Sequence, residues 1–223
     1  MDRRFEFSVI FEDFSIFIPA AIETIKISFA SIILGVLIGF IIALLKLSKY
    51  KIINIPASIY IGLIRGTPIL VQLLILYYGL TNFIRLDPFP SAVIAFGVHN
   101  GAYIAEIFRG AILSIDHGQR EAARSLGMTK DQAFKRVVFP QALKRAVPPL
   151  GNQFIIAIKD SSLASAIAIR ELLMQARQLG SSTFNTLEYL IIAAIYYLII
   201  TLSLSFVVKK VEKRLAVSDR GRH

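Results

Sequence analysis

The chain of 223 residues has no cysteine at all. That absence excludes disulfides, thiolate metal sites and cysteine nucleophiles. Histidine is scarce: His99, His117 and His223 are far apart, and no His-Glu-x-x-His pair or other ligand cluster occurs. His99 reads as a hydrogen-bonded packing residue rather than a metal ligand. No Gly-x-x-x-x-Gly-Lys-[Ser/Thr] segment is present, so the chain cannot build a P-loop phosphate cradle, and no cofactor is expected in it. No nucleophile, base and orienting group stand at a spacing that suggests catalysis, which argues against an enzyme. Charge is sparse too, at 18% of residues against about 25% in soluble domains. The first thirteen residues carry four acids and the first long apolar run starts late, so the N-terminus does not read as a signal peptide.

What the chain has in plenty is apolar residues, 55% of the total, with a mean hydropathy of +0.64. Ile27–Leu45 runs nineteen residues without a charge, and Tyr189–Val208 runs twenty. A helix of ~20 apolar residues crosses the ~30 Å hydrocarbon layer. With no water in that layer to bond the backbone, helices are the expected form. Three further spans are expected, over about Ala57–Asn82, over Pro88 to about Ala111, and over Pro148–Ile169, the last interrupted by Lys159 and Asp160. The expected fold is an all-α integral membrane protein of five transmembrane helices, a single domain over residues 1–223. A four-span reading, with Pro148–Ile169 re-entrant or interfacial, stays open.

Lysine and arginine set the orientation. The segments 46–56 and 112–147 and the C-terminal tail carry three, seven and six of them, sixteen in all of twenty-five. The opposite side carries five: Arg3, Arg4, Arg85, Arg170 and Arg177. This predicts the N-terminus outside and the C-terminus in the cytoplasm. The net charge of +10 is therefore a topology signal. Nucleic-acid binding is not expected, since the basic residues are spread over loops that flank spans.

Glu121 to Pro140, EAARSLGMTKDQAFKRVVFP, interrupts the apolar chain with six charges. Gln119–Leu126 is rich in helix formers, and Gly127 stands where a helix C-terminus favours a left-handed residue. Thr129 and Gln132 have capping-box spacing, so a second helix is expected, ending before Pro140. Pro148 and Pro149 then mark the first turn of the next span. Ala122 and Ala123 leave room for a partner backbone, and Glu121 and Arg124 offer charged contacts. The residues alone leave two readings open: a rigid handle for a soluble partner, or an amphipathic linker on the membrane surface.

This segment resembles the EAA loop of ATP-binding-cassette importer permeases. That pattern is Glu-Ala-Ala, three residues, Gly, nine residues, an aliphatic residue, any residue, Leu and Pro. Here Glu121, Ala122, Ala123, Gly127, Val137 and Pro140 match in spacing, while Phe139 stands for the usual Leu and Val137 for the usual Ile. Arg65-Gly66-Thr67-Pro68, Ala102 to Ala111, Gly118-Gln119, Pro140-Gln141-Ala142, Pro148 to Asn152, Lys159 to Leu163 and Glu171-Leu172-Leu173 resemble the polar amino acid uptake branch. The resemblance covers roughly residues 20–215. It implies a permease chain paired with a second one, identical or paralogous. It also implies a cytoplasmic ATP-binding subunit dimer and an extracytoplasmic amino-acid-binding protein. The segment 112–147, between spans three and four, would be the cytoplasmic coupling loop. Glu121, Ala122, Ala123, Gly127 and Pro140 would dock it on the ATPase.

Charges inside spans are costly, so they should face protein or water. Arg65 precedes a Gly-Thr-Pro segment that should kink its helix; snorkelling toward the interface is its expected role. Glu106 and Arg109, three apart, are expected to form an ion pair on one helix face. Asn100, Gly101 and Tyr103 lie deeper. Lys159 and Asp160 fall midway along the fourth expected span, about 100° apart around the helix, and are followed by Ser161 and Ser162. Their charges and hydroxyls suit the ammonium and carboxylate of an amino acid. Asn100, Gly101, Tyr103, Lys159, Asp160, Ser161 and Ser162 are thus candidates for a translocation path, and an interhelical tie is the competing reading. A gradient-driven carrier is the rival function; it is disfavoured because no internal inverted repeat is evident. Five helices are few to enclose a solute path, so a two-chain pore is expected, most simply an isologous homodimer.

Overall fold

The structure, a computed structural model, describes residues 6–81 and 85–220, with side chains as far as Leu215. Arg3, Arg4, Arg222 and His223, counted above from sequence, lie outside the described residues, as does Asn82, the expected end of the second span. The described residues are mostly helical, and no strand occurs among them. A short helix α1 (Phe7–Glu12) and a single 3-10 turn (Phe14–Phe17) lead into α2 (Ile18–Lys46). Pro19 sits in the first turn of α2, where its missing N–H is no loss. The continuous apolar helical run is therefore Phe14–Lys46, 33 residues. It begins well before the charge-free stretch, because Glu23 and Lys26 pair across one turn at 3.5 Å and are tolerated within it.

Helix α3 (Lys51–Arg65) and α4 (Ile69–Leu74), which continues as a π turn over Ile75–Gly79, form one broken unit. The two pieces meet at 104°. The Gly-Thr-Pro segment thus breaks the expected second span rather than kinking it. A broken helix leaves its last carbonyls unsatisfied. Here Gln72 Nε2 reaches back and donates to the carbonyls of Ile64 (2.8 Å) and Thr67 (3.1 Å). Thr67 Oγ1 donates to the carbonyl of Leu63 at 2.9 Å.

Helix α5 (Pro88–Leu113) is the central element. It packs against α2 through small residues. A Cβ added to Gly39 would lie 2.7 Å from Ile104 Cγ2, and one added to Gly97 would lie 2.6 Å from Leu34 Cδ2. Close backbone approach of this kind is how helices associate where no hydrophobic force acts between them. Buried Ser31, Gly35, Gly39 and Ala43 repeat every four residues along α2, which lines them up on one face.

The charged insert forms α6 (His117–Ser125), a turn, α7 (Lys130–Ala133) and a π turn (Phe134–Val138) that runs into α8 (Phe139–Asp160). Two expectations are corrected here. The second helix of the insert does not end before Pro140: the π turn delivers the chain so that Pro140 falls in the first turn of α8, where proline is tolerated. Pro148 and Pro149 do not begin the next helix but lie inside it. Helices packed in bundles accept interior proline when neighbouring groups satisfy the freed backbone.

After Asp160 the chain tightens into a 3-10 turn (Ser161–Ile167) and reverses at Ala168, whose φ is 61°. Lys159 and Asp160 therefore end α8 rather than standing midway along a span. Helix α9 (Leu172–Thr183) follows, an element absent from the sequence reading. Its N-cap is Glu171, whose carboxylate accepts from the N–H groups of Leu173 (2.9 Å) and Met174 (2.7 Å). The last helix, α10 (Thr186–Arg220), outruns the expected Tyr189–Val208 at both ends. Its 35 residues measure about 50 Å at ~1.5 Å each, so its basic end projects beyond the apolar section. Phe17 is fully buried between the rings of Tyr189 and Tyr196 and ties the N-terminal turn to α10.

By length and composition, three of the described helical runs could cross a membrane: Phe14–Lys46, Pro88–Leu113 and Thr186–Leu215. The broken α3–α4 unit would make a fourth. Helix α8 falls outside that test, carrying Lys144, Arg145, Lys159 and Asp160.

Candidate functional site

Two arrangements of polar residues stand out. The first is a cleft of about 330 Å³ between the α3–α4 break, α5 and α8. The break contributes Thr67, Pro68 and Ile69; α5 contributes His99 and Tyr103; α8 contributes Gln153, Ile156 and Asp160. The spacing explains the grouping. His99 and Tyr103 are four apart, and Gln153, Ile156 and Asp160 are three and four apart, so each set shares one helix face. The 104° break is what brings Thr67 and Pro68 to that face rather than continuing a helix past it.

The polar groups around the cleft are held in place. Gln153 Nε2 donates to Asn100 Oδ1 at 2.8 Å, and Asn100 Nδ2 donates to the Phe96 carbonyl at 2.8 Å. His99 Nδ1 and Gln72 Oε1 are 3.1 Å apart. The Gln72 oxygen can only accept, so Nδ1 carries the proton and Nε2 remains an acceptor in the neutral ring. The Arg65 guanidinium lies 5.1 Å above the Tyr103 ring, within cation–π range. Arg65 thus packs on an aromatic face instead of extending freely. Glu106 and Arg109 form the expected pair, with Arg109 Nη2 donating to Glu106 Oε2 at 2.8 Å.

The sequence candidates separate into three groups. Tyr103 and Asp160 line the cleft. Lys159 and Ser162 face a different cleft of about 400 Å³, beside Tyr197 and Thr201 of α10. Asn100, Gly101 and Ser161 are buried. Asn100 orients Gln153. Gly101 leaves room for Ile38 and the Tyr60 hydroxyl, 2.8 and 2.9 Å from where its Cβ would be. Ser161 Oγ donates to the Ile158 carbonyl at 2.7 Å. Thr67 and Gln153 are lining residues that the sequence does not single out, and His99, expected as a packing residue, lines the cleft as well. The signal was present as polar residues at helical spacing, but nothing local indicated which face they share.

The second arrangement is the charged insert. Asp116 caps α6, accepting from Gly118 N at 2.8 Å. Gly127 follows the helix with φ +81°, the left-handed region that a residue with a Cβ adopts at a cost. Thr129 and Gln132 form the full capping box, with Gln132 N donating to Thr129 Oγ1 (3.2 Å) and Thr129 N donating to Gln132 Oε1 (2.9 Å). Glu121 and Ala122 are exposed on α6, while Ala123 is buried. The insert is tied to α8 by a bond from Gln141 Nε2 to Gln119 Oε1 (3.3 Å), and Arg145 of α8 donates to the Ser114 carbonyl at the end of α5, from which the insert departs.

A buried polar seam thus lies beside a broken helix and is joined through α8 to a capped, charged helical insert. Residues 35–217 match the family described as the inner membrane component of binding-protein-dependent transport systems. The chain belongs to this family. Within it the chain is an amino acid permease of the ATP-binding-cassette type. It is 41% identical over 217 residues to the glutamine transport system permease protein GlnP of Escherichia coli (strain K12), covering 96% of this chain and 99% of that one. It is 44% identical over 194 residues to the L-cystine transport system permease protein TcyB of Bacillus subtilis (strain 168), covering 86% and 83%. Among solved structures, the crystal structure of an amino acid ABC transporter with histidines matches with a TM-score of 0.88. The identity is 42%, over 96% of this permease and 100% of that chain. Among the described residues of the permease no group of three or more acidic or histidine side chains is arranged to hold a metal.

Proposed function

We propose that this permease carries a polar amino acid across a bacterial-type inner membrane, powered by ATP bound on a separate subunit. An extracytoplasmic binding protein delivers the amino acid, and two permease chains, identical or paralogous, enclose the path. The observation that carries this reading is the match along nearly the whole chain to glutamine and cystine permeases, joined to a cleft that offers both signs of hydrogen-bonding partner. The proposed topology has five spans. The α3–α4 unit counts as one broken span and α8 as the fourth, with the N-terminus outside and the segment 112–147 in the cytoplasm. The chain itself needs no cofactor and carries out no hydrolysis.

In the proposed mechanism Asp160 receives the substrate ammonium, and the second N–H of the Gln153 amide, the one not given to Asn100, receives its carboxylate. Tyr103 and Arg65 close the cleft toward the lysine-rich side. The coupling segment is the mechanical handle. Glu121 and Ala122 form the docking face, the buried Ala123 seats α6 from beneath, Gly127 lets the chain turn sharply, and Pro140 passes the motion to α8 at its first turn. Because α8 runs unbroken from Phe139 to Asp160, a displacement of the insert is transmitted along one rigid rod to the cleft.

The test is purification through a C-terminal tag from native membranes. An ATP-binding subunit is expected to co-purify with the unaltered chain and to be lost from Gly127→Pro and Glu121→Lys. Purified chain that takes up amino acids in vesicles without any ATPase would refute the proposal and favour a gradient-driven carrier.

A further inference from the structure

A second charged cavity, of about 420 Å³, lies between the loop after α2 and the α6–α7 insert. Its lining gathers Lys49, His117, Arg120, Arg124 and Lys130 over an apolar floor that includes Phe134. No carboxylate lines it among the described residues. Glu121 touches a lining residue, with Oε1 3.1 Å from His117 Nδ1. Four fixed positive charges around one space repel one another, and an anion between them removes that repulsion.

The guanidinium of Arg120 points to the missing partner. Its Nη2 donates to the Ile112 carbonyl at 3.2 Å, while its Nε is buried and has no hydrogen-bond partner among the described residues. Buried donors are almost always satisfied. A guanidinium with spare donors matches the geometry of phosphate oxygens.

The surroundings of Lys49 indicate where such an anion comes from. Leu44 and Leu45, at the end of α2, are exposed, and so are Tyr50 and Ile52 at the start of α3. Lys49, which lines the cavity, is thus flanked along the chain by exposed apolar residues suited to acyl chains. Basic pockets at the cytoplasmic ends of spans are suited to acidic lipid head groups. We propose that this cavity binds the phosphate of an anionic phospholipid, whose acyl chains lie along the exposed ends of α2 and α3. The lipid then braces the α2–α3 loop against the coupling segment. The inference needs the lysine-rich end at a leaflet surface but not an ATPase partner, so it can fail independently of the transport reading.

The experiment is native mass spectrometry of the full chain, released from nanodiscs of phosphatidylcholine with increasing phosphatidylglycerol. The unaltered chain is expected to retain phosphatidylglycerol at least tenfold over phosphatidylcholine. Lys49→Gln combined with Arg120→Gln is expected to abolish that preference. Arg120→Lys, which keeps the charge, should hold most of it and guards against misfolding of the double variant. Lys209→Gln combined with Lys210→Gln removes equal charge from α10 and should leave the preference intact. Equal loss in that control, or no loss in the Lys49/Arg120 variant, overturns the proposal. So does binding of inorganic phosphate alone without retained lipid, which would assign the cavity to a soluble anion. Displacement of the lipid by an added ATP-binding subunit would assign it to a protein carboxylate instead.

Discussion

Gln153 on α8 donates to Asn100 on α5 across 2.8 Å, and Asn100 is itself fully buried. One of the two amides lines the cleft and the other holds it from behind. This bond sets the direction in which Gln153 presents its remaining groups. Asn100→Leu and Gln153→Leu should each lower stability. A double-mutant cycle should give a coupling of about 0.6 kcal/mol and no more than about 1.7, the range found for such bonds in membranes. Thermal unfolding of the four proteins in detergent measures it, and a coupling of zero would mean that the two amides do not interact.

Lys159 and Asp160 are neighbours in sequence that face different spaces. Their neutralisation should therefore have unequal effects. A charge-assisted hydrogen bond contributes about 1.5–3 kcal/mol, so Asp160→Asn should lower amino acid uptake by about tenfold to a hundredfold while assembly persists. Lys159→Gln should stay near the unaltered rate. Uptake by proteoliposomes carrying the whole transporter distinguishes them, and equal losses would count against the cleft as the path.

Glycine at the α2–α5 contact is a steric requirement. A Cβ at Gly39 would lie 2.9 Å from the backbone nitrogen of Ala105 as well as 2.7 Å from Ile104 Cγ2. Gly39→Ala should cost about 1–3 kcal/mol through overpacking. Gly62, with nothing within 4 Å of its Cβ position, should accept alanine and gain about 0.5–1 kcal/mol of helix stability. Paired melting curves of the two variants read the difference.

At Gly127 the demand is conformational, since no atom crowds its Cβ position but its φ is +81°. Gly127→Ala should cost about 1–2 kcal/mol locally. Hydrogen exchange should quicken over residues 117–138 and remain unchanged in α2 and α5. ATP-driven uptake should fall with it. A uniform rise in exchange along the chain would show that the insert is not an independent local unit.

Much of the insert was legible because its signals are local. Thr129 and Gln132 are three residues apart, and Gly127 follows a helix, so the cap and the left-handed turn depend on neighbours along the chain. The Glu106–Arg109 pair is local in the same way. Proline is an ambiguous signal here, because Pro140 and Pro148 break or continue a helix according to what precedes and surrounds them. Here the π turn at Phe134–Val138 made the difference. The stripe of Ser31, Gly35, Gly39 and Ala43 emerges only with α2 packed on α5, since its spacing of four does not by itself name a partner.

The apolar runs, the basic loops and the capped insert belong to the sequence by itself, since hydropathy, charge bias and capping act over one helix or less. The cleft belongs to the tertiary structure. Asp160 and Lys159 are separated by one peptide bond and by about 100° of helix rotation, and only the positions of α5 and α10 decide which cavity each one meets. The break at Thr67-Pro68 faces α5 and α8 because Gln72 satisfies the freed carbonyls from the far side of the bend. That bond cannot be inferred until both pieces of helix are in place.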